Sequence, residues 1–278
     1  MTQQEESSTE ALQGGNFHHP SWPERWSHPE FTGSLRDLRK RWCKQPWYKH
    51  RTRRSVMFIK WLSCLPWGFV IYRTVYTAES DRLWSACLAK IDRYVQWSIS
   101  DIYEVEYRDS DPFPEYFVKE TFKNLVFEDR ERWEGASLEQ IRTDFKQYSK
   151  SLGMEDGSHI PWSKACLVID ESCLNSIVSA FEDPEDSANW KGPRRAFVIE
   201  KGGYIMLKPF AVMVDPTFEP EESYDTPGYQ GYMRVELDGI WSAAVELRLA
   251  TVQEICPNVT PGEMIPVYNG GSGYLVNV

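Results

Sequence analysis

Histidine is scarce in this chain: of five in 278 residues, His18, His19, His28 and His50 fall within the first fifty, and only His159 lies beyond them. A Ser-His-Asp triad or a polyhistidine metal centre would have to be built around that one side chain, so both are disfavoured. Cysteine gives no framework either. Cys43, Cys64, Cys87, Cys166, Cys173 and Cys256 are widely spaced and form no CxxC pair, so no metal is expected. His159 lies near Cys166, but the apolar run after that cysteine indicates a buried thiol, not an activated nucleophile.

Glycine motifs are also missing. There is no G-x-S-x-G elbow, no strand runs into GxGxxG, and Gly270-Gly271-Ser272-Gly273 has no helix after it to supply amide donors. Nucleotide chemistry is therefore disfavoured, and no cofactor is expected. Asp109-Ser110-Asp111 starts like a calcium loop, but Pro112 follows and the required glycine and glutamate are out of register. The opening MTQQEESSTEALQGG has no basic segment leading into an apolar one, which implies reduced thiols and a cytoplasmic address. The sequon at Asn258 is then expected to be unused, and KHRTRR supports a nuclear address as the alternative. The long apolar run at residues 55–72 contains Lys60, Pro66 and Gly68. It reads as a lead-in and a buried strand, with no transmembrane span expected.

What is abundant is aromatic side chains and unevenly distributed charge. Residues 36–60 hold ten basic residues against Asp37, a balance of +9 within a chain of net charge −10, which leaves −19 elsewhere. Six of the twelve tryptophans fall at or before Trp67. Residues 1–65 thus read as an aromatic and basic, largely irregular arm, and residues 66–278 as a single acidic α+β domain. Three readings of the arm stand: solvated chain, docking on the acidic domain, or an anionic partner for residues 36–60. Nucleic acid is not expected as that partner.

Within the domain, GFVIYRTVYT (residues 68–77) alternates as a strand, with Val70, Tyr72, Thr74 and Tyr76 on one face. Thr77 or Ser80 can cap a helix bearing Trp84, Cys87, Leu88, Ile91, Tyr94 and Val95. Residues 101–115 read as an acidic loop and residues 124–133 as a second strand. Ser137 and Gln140 form a capping box before the helical stripe Leu138, Ile141, Phe145, Tyr148 and Leu152. A third strand at 165–170 precedes a helix that stops before Pro184. Gly202-Gly203 joins strands at 195–201 and 204–214 as a hairpin. Strand YMRVEL and a helix from Ile240 to about Gln253 follow.

The expected fold is α+β: a mixed, largely antiparallel sheet with helices on one face, two-layered and ferredoxin-like in character. A doubly wound parallel sheet is the alternative, against which the hairpin counts. If the first three strands are neighbours, their polar ends meet on one rim of the sheet. Glu128, Asp170 and Tyr76 are then the candidate catalytic groups, and Tyr72, Arg73, Tyr76, Trp84 and Trp133 the candidate ligand contacts. The competing explanation is structural: Asp81 and Asp170 both sit where an acid caps a helix.

The segment GFVIYRTVYTAESDRLW resembles the opening of a family of uncharacterised fungal proteins, G-aromatic-x-I-Y-R-T-x-Y-T-x-x-S-D-x-x-W. Further similarity lies in CLVIDES, GYMRVELDGIW and IPVYNGG. The resemblance covers about residues 68–271 and brings no established activity. It implies a fungal, non-secreted protein, some of whose relatives look like neighbours of specialised-metabolism genes. The function expected is an accessory protein binding an apolar or aromatic small molecule. The alternatives are a metal-free cyclase, isomerase or dehydratase using carboxylate and tyrosine acid-base chemistry, and an interaction module using the basic arm.

Overall fold

The structure, a computed structural model, describes residues 35–50, 52–62, 66–101, 111–151, 161–184, 197–199, 203–205, 208–219, 228–257, 264–270 and 274–277. The acidic stretch 102–110, His159, the Gly202 half of the hairpin glycines, the Asn258 sequon and residues 271–273 lie outside these.

Helix formation starts inside the segment read as an irregular arm. α1 (Leu35–Trp42) buries Leu38 and Trp42, one turn apart, and leaves Arg36 and Lys40 in solvent. A 3-10 turn (Pro46–Lys49) with proline at its start buries Trp47, and α2 (Arg54–Trp61) buries Val56, Phe58 and Ile59. These side chains belong to the same hydrophobic core as the sheet. The expectation of an irregular arm is therefore corrected for its described residues. The charge run masks a short apolar stripe, and the tryptophans between the cations point inward.

β1 (Val70–Arg73) is buried along its length. α3 (Ala78–Asp101) starts where the Thr77 hydroxyl accepts the Ser80 amide at 3.0 Å. α4 (Phe113–Thr121) replaces the end of the expected acidic loop, and its Glu115 is buried against Arg53 with Nε to Oε1 at 2.8 Å. The second strand is shorter than expected. β2 (Leu125–Phe127) stops because Asp129 caps α5 (Arg130–Trp133). α6 (Leu138–Ser151) carries the expected capping box, with the Ser137 amide on the Gln140 side chain at 2.8 Å and the reciprocal bond at 3.2 Å.

α7 (Pro161–Lys164), β3 (Cys166–Ile169) and α8 (Glu171–Val178) follow. β4 (Phe197–Ile199) and β5 (Gly203–Ile205) pair antiparallel as a separate two-stranded sheet. β6 (Phe210–Val214) and β7 (Tyr232–Glu236) lead to α9 (Ile240–Glu246) and α10 (Val252–Ile255), which replace the one helix expected there. β8 (Met264–Tyr268) and β9 (Tyr274–Asn277) complete the chain.

The main sheet has the order β2-β1-β3-β6-β7-β8-β9. β2, β1 and β3 are mutually parallel, β6 and β9 are antiparallel to their neighbours, and β8 is parallel to β7. The carboxyl ends of β1, β2, β3, β7 and β8 therefore point to the same rim.

The α+β class is as expected; the layering is not. β2 and β3 flank β1 on opposite sides, and the right-handed connection usual between parallel strands puts the helices of the two crossovers on opposite faces. Arg73 accordingly meets Ser80 and Asp81 of α3, while its neighbour Tyr72 meets Asp144 and Phe145 of α6 on the other face. The hairpin had counted against parallel pairing, but β4 and β5 stay out of the main sheet and report nothing about its directions. No helix among the described residues is long and apolar enough to cross a membrane.

Candidate functional site

The first three strands are parallel neighbours, so Glu128 after β2, Arg73 to Tyr76 at the end of β1 and Asp170 after β3 share one rim. Four of the candidate residues come together there. The Arg73 guanidinium lies 4.5 Å from the Tyr76 ring centroid and 4.9 Å from that of Trp84. It donates to the Val75 carbonyl at 2.9 Å and the Ser80 hydroxyl at 3.2 Å, and pairs with Asp81. Trp84 Nε1 donates to Glu128 Oε2 at 2.7 Å.

These contacts leave one polar atom over. The Tyr76 hydroxyl is buried without a hydrogen-bond partner among the described residues. Burial pushes it up to about 12; Arg73 opposes that, and Glu128, Asp129 and Asp81 add to it. Glu128 itself is exposed.

Tyr72 and Trp133 are elsewhere, on the α6 face. Their rings meet edge-on at 5.0 Å, and the Tyr72 hydroxyl donates to Asp144 Oδ2 at 2.7 Å. Burial, then Asp144, raises the Tyr72 hydroxyl far above its usual range. Both rings are core. Asp170 caps α8, its Oδ1 accepting from the Cys173 amide and the Ser172 hydroxyl, each at 2.8 Å. Asp81, the other acid expected to cap a helix, is taken by Arg73.

Sequence reasoning missed a second polar cluster on this rim. β6 starts there, so Lys208 meets Glu236 and Asp238 at the end of β7, with distances of 3.2 and 2.8 Å. Burial pulls the Lys208 ammonium down, but Asp238 and Glu236 outweigh it and hold it above its ordinary value. The signal was the acid pair in VELDG, readable only once β6 is known to run antiparallel. No group of three His, Cys, Asp or Glu among the described residues could hold a metal ion.

An open groove lies away from the rim, between α6 and residues 216–219, with a volume of about 470 Å³. Thr143, Lys146 and Gln147 form one wall, Pro216 and Phe218 the other. Arg142 fixes the base: Nε donates to the Asp215 carbonyl at 2.9 Å, Nη2 to the Gly231 carbonyl at 3.3 Å, and Nη1 pairs with Glu139. The guanidinium also lies 4.9 Å from the Phe218 ring centroid. Gly231 has φ +77°, and a Cβ there would overlap the Phe218 ring and Arg142. Asp215 is buried and accepts from the Tyr229 hydroxyl at 2.9 Å and the Thr217 hydroxyl at 2.7 Å. Across the mouth, Lys146 pairs with Glu219 at 3.1 Å, both more than half exposed. Nothing in the sequence marked this groove, because its two walls are 70 residues apart and only the β6–β7 connection brings them together. No family model matches the chain, and no curated protein or solved structure matches it.

Proposed function

We propose that this protein binds a small aromatic acid in the groove between α6 and residues 216–219, as an accessory binding protein and not as an enzyme. The observation that carries this is the groove itself: about 470 Å³, with Phe218 and Pro216 on one wall and Lys146 at the mouth. That volume is within the range of small-molecule sites. An exposed ion pair such as Lys146 with Glu219 is worth at most about 1 kcal/mol. A ligand carboxylate can therefore take the place of Glu219 beside Lys146 at little cost, with its ring along Phe218.

Acid-base catalysis at the rim has less support. Glu128 is exposed, Asp170 is engaged as a cap, and the Tyr76 hydroxyl, held at about 12, stays protonated at neutral pH. A catalytic group works best with a pKa near the operating pH. The resemblance of residues 68–84 to a fungal family, some of whose members look like neighbours of specialised-metabolism genes, supports an accessory role in that setting.

Native mass spectrometry of the full chain purified from its host tests the reading, with Thr143→Trp alongside. Thr143 is exposed, so the indole fills the groove without entering the core. A bound small-molecule mass in the parent protein, lost in the variant at unchanged melting temperature, is expected. The same bound mass in both sinks the groove. Loss in Tyr76→Phe instead moves the site to the rim, where the buried hydroxyl would donate to a ligand oxygen.

A further inference from the structure

The cationic segment is built as a surface. Because Leu38 and Trp42 face the core, Arg36, Lys40 and Lys44, also four residues apart, are exposed, and Lys49 is exposed at the end of the 3-10 turn. The end of α2 is held against the same segment: Arg39 donates to the Leu62 carbonyl, and the Lys60 ammonium lies 4.4 Å from the Tyr48 ring centroid. Trp61, beside Lys60, is 49% exposed. The inner cations of the segment are used within the fold, Arg53 by Glu115 and Arg54 by the Ser242 hydroxyl at 2.8 Å. The outer ones are exposed, Lys40 pairing with the equally exposed Asp37 at 3.5 Å, on a chain that carries −19 outside residues 36–60.

We infer that this face docks on an anionic phospholipid bilayer, with Arg36, Lys40, Lys44 and Lys49 against the headgroups and Trp61 at their level. Single-stranded nucleic acid fits less well, because it needs successive aromatic platforms open to stacking bases, and here Trp61 is open but Trp42 and Trp47 are not. Trp42 and Trp47, which interleave with the cations, are buried against Phe117 at 4.8 Å and Phe113 at 5.5 Å. A bilayer requires only cations on one face and an amphipathic ring at the interface. The same bilayer repels the acidic remainder, which turns this face toward it. The inference is independent of the groove.

Co-sedimentation of the full chain with vesicles tests it, using phosphatidylcholine alone and phosphatidylcholine mixed with phosphatidylserine. The chain is expected to pellet with the mixed vesicles and to be released by salt. Each cation beside an anionic bilayer is worth about 1 kcal/mol, so Lys40→Gln with Lys44→Gln binds roughly thirtyfold more weakly. Both residues are exposed, so the double variant is expected to melt with the parent protein. No pelleting at low salt, equal pelleting with both vesicle types, or a double variant of parental affinity overturns the inference. Tighter salt-sensitive binding to single-stranded DNA than to the mixed vesicles overturns it as well, and assigns the face to nucleic acid.

Discussion

A Cβ at Gly68 would come within 2.2 Å of the Lys123 carbonyl oxygen. The backbone there cannot retreat, because it opens the β1–β2 ladder: the Lys123 amide donates to the Trp67 carbonyl at 2.7 Å and the Leu125 amide to the Phe69 carbonyl at 3.0 Å. Gly68→Ala should therefore cost about 3 kcal/mol, seen as a lower urea midpoint at unchanged m-value. From the sequence Gly68 was only a break in an apolar run; the residue that needs the space is 55 positions away. The tyrosines show a similar limit. Alternation placed Tyr72 and Tyr76 on one face, but β1 ends at Arg73, and past it the period of two no longer applies. The meeting of Arg73, Tyr76, Trp84 and Glu128 was readable because strand ends follow from strand neighbours, whereas the enclosure of Tyr72 and Trp133 depends on where α6 docks.

At the level of elements, α6 was the most legible, since a capping box and an apolar stripe of helical spacing agree over its whole length. α1 was not, because five of its eight residues are charged, and among its described side chains only Leu38 and Trp42 are buried. Trp42 nonetheless packs edge-on against Phe117 at 4.8 Å and within 6.1 Å of Phe113 on α4. Trp42→Ala is expected to lower stability by about 3–5 kcal/mol in urea denaturation. A solvated arm would show no change. The same helix explains why Glu115 was misread as part of a loop: its partner Arg53 lies on the neighbouring α2 side, and no local pattern announces a buried ion pair.

For the whole molecule, burial sets the alkaline limit. The Cys87 and Cys256 thiols are pushed up to about 12 from an ordinary 9.0, and the Tyr76 and Tyr148 hydroxyls to about 12 from 10.0, burial being the largest cause for each. The folded chain holds these protons more tightly than the unfolded one. Their contribution is complete below the unfolded values and is lost as pH rises through the folded ones. Urea midpoints should fall steadily from about pH 9 upward, and a flat profile to pH 11 would refute the assignment.

The Arg54 side chain reaches Ser242 across 188 residues, and Phe58 meets the Trp241 ring at 4.9 Å. During synthesis, α2 can thus cover Phe58 with the Trp67 ring, 4.9 Å away, soon after both emerge, whereas the part of its apolar face that meets Trp241 stays open until late in translation. A chaperone that shields residues 54–62 therefore has a defined interval in which to act, closing when Trp241 emerges from the exit tunnel.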